Sequence, residues 1–150
     1  MRSVVQRVSH ASVSVNNRIV GEIGWGLLVL IGVEIDDTEG DAKYIAEKIA
    51  TLRIFNDDED KMNLSVLDVK GELLVISQFT LHGDCRRGRR PSFIAAARPD
   101  RAIPLYEQVI ALLEAYPELI VARGEFGASM KVSLTNEGPV TLLLDSRKCF

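Results

Sequence analysis

Apolar and polar positions alternate in stretches through RSVVQRVSHASVSV near the start of the chain. The valine-rich composition suits a strand with one face buried. Asn16 and Asn17 follow, a pair able to take the positive φ of a tight turn, and RIVGEI reads as the returning strand. LLVLIGVE (27–34) is apolar without alternation and of strand length, which predicts a buried central strand. From Thr38 the period lengthens. Ala42, Ile45, Ala46, Ile49 and Leu52 recur at helical spacing, and Thr38 with Asp41 resembles a capping box.

NDDEDKMN reads as a polar loop, and LSVLDV and ELLVISQFTL as two strands joined by a Lys-Gly turn. HGDCRRGRRPSF is basic and irregular. A second helix is predicted from about Asp100 to Ala115, with Leu105, Val109, Leu112 and Leu113 on its apolar face. Pro104 fits this helix only if it lies in the first turn. The last third, LIVARGEFGASMKVSLTNEGPVTLLLD, is β-rich. The order strands, helix, strands, helix, strands predicts an α/β fold with mixed pairing and two main helices.

Composition narrows this picture. A chain of 150 residues is expected to form one domain, 1–150, burying about two-thirds of its unfolded surface. The net charge of −3 argues against an indiscriminate nucleic-acid binder while leaving room for a local basic patch. No apolar run approaches the ~20 residues of a membrane span, and the start lacks the pattern of a signal peptide. Cys85 and Cys149 are too far apart in sequence for a zinc knuckle or a redox pair. A reduced, cytoplasmic protein is the expectation.

Four segments carry candidate chemistry. The acidic runs DDTEGD and NDDEDKMN read as solvated loops, because the second lacks the central glycine and closing glutamate of a calcium loop; no metal is expected. CRRGRRPSF sets Arg86, Arg87, Arg89 and Arg90 around a glycine, and arginine forks suit phosphate. SQFTL (77–81) ends an apolar strand with Ser77, Gln78 and Thr80 where the chain opens into a loop, and His82 would lie on the same strand face as Thr80. Thr80 is a nucleophile only if a base lies nearby. NEGPVT (136–141) taken alone reads as a hairpin turn between two strands, with glycine and proline in turn roles.

Together, SQFTL and NEGPVT resemble the paired signatures of the D-aminoacyl-tRNA deacylases. MRSVVQRVSHASVSV, GRRPSF and FGASMKVSLTNEGPVT resemble that family too, so the likeness runs along essentially the whole chain. The resemblance implies a compact three-layer α/β/β fold and a homodimer that needs no cofactor. It implies hydrolysis of the ester between a D-amino acid and the 3′ acceptor end of tRNA. SQFT and GPVT stand as in the D-specific branch, not as in the related enzymes that act on L-alanyl-tRNA.

Carried over, the site comprises Ser77, Gln78, Phe79 and Thr80, with backbone N–H groups near Phe79 and Thr80 facing the scissile carbonyl. Gly138 and Pro139 would form a Gly-cisPro element that reaches into the partner subunit's pocket and rejects L-aminoacyl esters. Proline makes a cis bond accessible, and glycine keeps a Cβ out of the pocket. Selection by exclusion further implies that glycyl-tRNA, including tRNA-Ala mischarged with glycine, is hydrolysed. The activating group would be either Thr80 or the 2′-hydroxyl of the terminal adenosine, and the absence of an obvious base for Thr80 favours the latter. His82 stands where many relatives carry tyrosine, which leaves it a surface or pocket-rim role. Arg86, Arg87, Arg89 and Arg90 would meet tRNA phosphates. Alternative readings are an editing deacylase for a small L-aminoacyl-tRNA and a non-catalytic tRNA-binding module.

Overall fold

The computed structural model describes all of residues 1–150. Its strands are β1 (Arg2–Val15), β2 (Arg18–Ile23), β3 (Gly26–Gly32), β4 (Phe55–Asn56), β5 (Met62–Leu64), β6 (Glu72–Ser77), β7 (Ile120–Arg123) and β8 (Met130–Asp145). Helix α1 (Glu39–Thr51) follows β3 and α2 (Pro99–Glu114) precedes β7. β1 is the hub of the sheet. Its first half pairs antiparallel with β3, its second half with β2, and β8 runs antiparallel to it along almost its entire length. β6 lies parallel to β3 and β7 parallel to β6, so the sheet is mixed.

Two apolar clusters define three layers. On one face, Ala42, Ile45 and Ile49 of α1 and Leu105, Val109 and Leu113 of α2 close over Val5, Leu27, Val29, Leu73 and Val75. On the other, Leu28, Leu74 and Ile76 meet Val8, Ala11, Val13 and Ile23, with half-buried Met130 and Val132 against them. β3 and β6 supply both clusters. A strand buried on both faces needs apolar residues at every position, which is why these segments show no alternation.

Several local expectations meet the structure closely. Asn16 and Asn17 take φ of 51° and 62° in the β1–β2 turn. At the start of α1, the Thr38 backbone N–H and hydroxyl both donate to Asp41 Oδ2 at 2.8 Å. Burial alone would raise the Asp41 pKa, but hydrogen bonds from Ser146 and Thr38 and the nearby positive N-terminus outweigh it, and the pKa falls to about 2.

Other expectations are corrected. LSVLDV is not a strand. After Leu64 the chain turns through 65–70, where Ser65 N and Oγ donate to Asp68 Oδ2 at 2.8 and 2.6 Å. NDDEDKMN is a loop only in part, because its ends lie in the short β4–β5 ladder. Asp57 accepts from the backbone N–H groups of Glu59 and Lys61 and from Asn63 Nδ2, so that carboxylate folds its own loop. Helix α2 begins at Pro99, so Pro104 falls inside it, beyond the first turn. Pro104 faces solvent, and the carbonyl it leaves without a donor is at the exposed Asp100. A proline there costs about 3 kcal/mol. The same helix buries Ala102, Leu105, Tyr106, Val109, Ile110 and Leu113, and each large apolar side chain among them contributes about 1.5–3 kcal/mol. The packing wins.

Candidate functional site

β6 ends where Gln78 N donates to Ile31 O at 2.7 Å, the last tie to β3. The chain then winds into a 3-10 turn, Phe79–His82, not a continued strand. The glycine at 32 permits this. A Cβ there would come within 2.9 Å of Gln78 O and 3.0 Å of the His82 ring. His82 is therefore not on the face of Thr80, nor at a surface or pocket rim: it is 3% exposed, with Nε2 3.0 Å from Gly32 O. Its Nδ1 is buried without a partner.

The first N–H groups of a helical turn have no acceptor within it. The first internal bond here runs from Leu81 N to Gln78 O, so the N–H groups of Phe79 and Thr80 lie ahead of it with no partner in the turn. Two adjacent backbone donors are thus left available to an oxygen atom. Thr80 is exposed, and its Oγ1 accepts from Gln78 Nε2. Neither a carboxylate nor an imidazole is bonded to that hydroxyl.

Beside the turn opens a cavity of about 560 Å³, a size suited to a small-molecule ligand. Ser77, Gln78 and Phe79 line it, together with Phe93, Arg98 and Phe126; Thr80 does not. The rings of Phe79 and Phe93 meet edge to face, 5.2 Å apart at 72°. Tyr106 also lines the cavity, and its hydroxyl donates to Val75 O at 2.9 Å. Burial, reinforced by Glu107, pushes the Tyr106 pKa far above the ordinary tyrosine value. It is a fixed neutral donor, unsuited to acid–base work near neutrality.

NEGPVT is a bulge within one strand, not a hairpin turn. Register passes from Val8↔Asn136 to Gln6↔Thr141, so 137–140 stand out from the ladder opposite Arg7. A proline in the bulge therefore forfeits no ladder hydrogen bond. The Gly138–Pro139 peptide bond is cis, with Gly138 at φ 123°. A Cβ on Gly138 would lie 2.8 Å from Val140 Cγ2 and 2.9 Å from Arg7 Nη2. Asn136 braces the bulge, accepting from Val140 N at 3.1 Å and donating to Thr141 Oγ1 at 2.8 Å. Gly138 and Pro139 are exposed and do not line the cavity of their own chain.

Residue-level reading of the sequence missed Arg7. It is 9% exposed and donates from Nε to Glu137 O at 3.2 Å, and from Nη1 to Ile54 O at 2.8 Å and Asn56 Oδ1 at 3.1 Å. Trp25 Nε1 holds Glu137 from another side, at 2.8 Å from Oε2. The signal was available: in the phase set by Val5, position 7 points inward, and a charge there must find partners. Phe93, Tyr106 and Phe126 were missed as well, since only the fold brings them to Ser77. Arg86, Arg87, Arg89 and Arg90 stand outside the cavity on an exposed loop.

The family model described as D-Tyr-tRNA(Tyr) deacylase matches residues 4–145. A D-aminoacyl-tRNA deacylase of Thermosipho melanesiensis is 58% identical over 150 residues, covering 100% of both chains. One from Koribacter versatilis is 61% identical over the same length and coverage. Among solved structures, the c-Myc DNA unwinding element binding protein superposes with a TM-score of 0.91 at 37% identity, over 97% of this chain and 98% of that one. A probable eukaryotic D-amino acid tRNA deacylase superposes with a TM-score of 0.81 at 20% identity, over 95% and 97%, a likeness of fold.

Proposed function

The chain belongs to the D-Tyr-tRNA(Tyr) deacylase family, and on that premise we propose that it hydrolyses the ester of D-aminoacyl-tRNA, releasing D-amino acid and tRNA. The observation that carries the reading is the pair of free backbone N–H groups at Phe79 and Thr80, set at the end of β6 beside the cavity. An aminoacyl ester is an activated bond. Two donors aimed at the oxygen that gains charge, with the ester held in place, supply several kcal/mol of barrier reduction. The cavity receives the terminal nucleoside, with Ser77, Gln78 and Phe79 shaping its wall. The 2′-hydroxyl of the terminal adenosine, not Thr80, assists the attack. What supports this choice is the Gln78 amide on Thr80 Oγ1, a donor where a nucleophile would need a base.

Chiral selection falls to Gly138 and Pro139 of a second copy. What supports this is their exposure, their distance from the ladder and their absence from their own chain's cavity. In a homodimer, the bulge of one subunit enters the cavity of the other, and its main-chain carbonyls take the α-amino group in a single pose. An L side chain is then crowded out whatever its identity. Glycine has nothing to crowd, so glycyl-tRNA, including tRNA-Ala mischarged with glycine, is also a substrate. The whole of 1–150 acts as one domain in the cytoplasm, without cofactor or metal.

Deacylation of matched D- and L-tyrosyl-tRNA tests the reading. The D-ester is cleared and the L-ester persists; equal rates would reject it. Glycyl-tRNA left intact at enzyme levels that clear D-tyrosyl-tRNA would reject selection by exclusion.

A further inference from the structure

Residues 83–96 form a surface segment next to the cavity that the mechanism above does not use. Asp84 and Ser92 exchange two backbone hydrogen bonds, Asp84 N to Ser92 O at 2.7 Å and Ser92 N to Asp84 O at 2.9 Å. They close a hairpin whose tip holds Arg87, Gly88, Arg89 and Arg90, with Gly88 at φ 69°. The hairpin leaves from His82, the end of the 3-10 turn, and returns at Phe93, whose ring packs on Phe79. Both ends of the loop are thus anchored beside the cavity, while its tip stands in solvent.

The four arginines are not equivalent. Arg86, though exposed, is paired within the loop: its Nε and Nη2 donate to the two carboxylate oxygens of Asp84 at 2.9 and 2.8 Å, and its backbone N–H donates to Asp84 Oδ1 at 3.0 Å. A guanidinium paired fork to fork with a carboxylate presents little net charge to a second anion. Arg87, Arg89 and Arg90 have no hydrogen bond or ion pair within the chain, and neither does the side chain of Arg98, which lines the cavity. Five arginines against the single carboxylate of Asp84 make 84–98 strongly positive in a chain of net charge −3. Such a local excess in an acidic protein suits one polyanion bound at one place.

We propose that this hairpin is a backbone clamp for the 3′ strand of tRNA, in which Arg87, Arg89 and Arg90 meet phosphates while Arg86 braces the loop. The proposal rests on the deacylase reading. Its reach follows from chain length: Gly88 lies four positions on from Asp84, so the tip stands at most about 14 Å from the hairpin base. At about 3.4 Å of rise per stacked nucleotide, that span covers roughly four nucleotides behind the terminal one. The clamp reads phosphates and no bases, so it strengthens binding of all acceptor ends alike.

The test compares two substrates, D-tyrosyl-tRNA and 3′-D-tyrosyl-adenosine, with wild type, R86A and the triple variant R87A/R89A/R90A. In the triple variant the ratio of kcat/KM on tRNA to kcat/KM on the adenosine ester falls by about tenfold or more. Its dependence of log affinity for tRNA on log salt becomes shallower by about 2, as expected for three contacts to a single strand. R86A leaves that slope close to the wild-type value. A constant ratio, or an unaltered salt slope in the triple variant, overturns the clamp. So does a slope change as large in R86A as in a single Arg87, Arg89 or Arg90 variant. If wild type cleaves neither ester, the deacylase reading has failed. Filter binding of uncharged tRNA to the triple variant then decides the clamp alone, lost affinity sustaining it and full affinity ending it.

Discussion

A threonine hydroxyl attacks an ester only when a neighbouring base takes its proton. The group hydrogen-bonded to Thr80 Oγ1 is the Gln78 amide, and the nearest imidazole in sequence, His82, is buried with Nε2 on Gly32 O. On the proposed reading Thr80 acts through its backbone N–H, which substitution leaves in place. Thr80→Val is expected to retain activity on D-tyrosyl-tRNA within about a hundredfold of wild type, with the far-ultraviolet spectrum and Tm unchanged. A loss beyond about a thousandfold in a folded protein would restore covalent catalysis. Arg7 works differently. Hydrogen bonds from a charged donor are worth about 1.5–3 kcal/mol each, and from β1 its side chain reaches acceptors in the segment after α1, in β4 and in the bulge. One buried side chain thus ties the bulge to the body of the molecule.

Among the elements, α2 carries an avoidable defect and β8 a useful one. Pro104 removes a donor and meets no compensating contact on its exposed face. Pro104→Ala restores the hydrogen bond to Asp100 O and improves helix propensity. It is expected to stabilise the protein by about 1–3 kcal/mol, a rise in Tm of several degrees by calorimetry. A drop in Tm would mean that the proline sets the path of the helix start over the cavity, where Ala102 and Pro99 sit. The bulge in β8 is the opposite case. Four residues leave the ladder, and the side chains of Asn136 and Arg7 take over the backbone groups around them. What would be a break in an ordinary strand becomes a protrusion of fixed shape.

For the molecule as a whole, the separation of the two motifs has a consequence that can be measured. On the proposed reading, a site made of 77–80 from one subunit and 138–139 from the other is restored in mixed dimers. Two folded variants, each impaired in one motif, are dissociated together and reassociated. Half the dimers are then mixed, and each mixed dimer carries one site with both motifs intact. Chiral discrimination between D- and L-tyrosyl-tRNA should return to about a quarter of the sites, read as a burst of D-ester hydrolysis in single turnover. If mixing restores nothing, each chain selects alone, and the bulge has another purpose.

Some of this was written in short stretches of the chain, because the forces there act between residues a few positions apart. The Asn16-Asn17 turn and the Thr38–Asp41 start of α1 rest on contacts between near neighbours, and the unbroken apolar run of β3 marks it as buried on both faces. The pairing of SQFT with GPVT was legible as a family likeness. Their shapes were not legible. LSVLDV has the composition of a strand, yet Ser65 and Asp68 close it into a turn. His82 became a buried wedge because Gly32, fifty positions away, leaves room for its ring. NEGPVT became a bulge and not a hairpin because β1 is long enough to pair with both of its flanks at once. Contacts between distant segments decide such outcomes, and a local pattern contains no term for a partner that only the folded chain brings near.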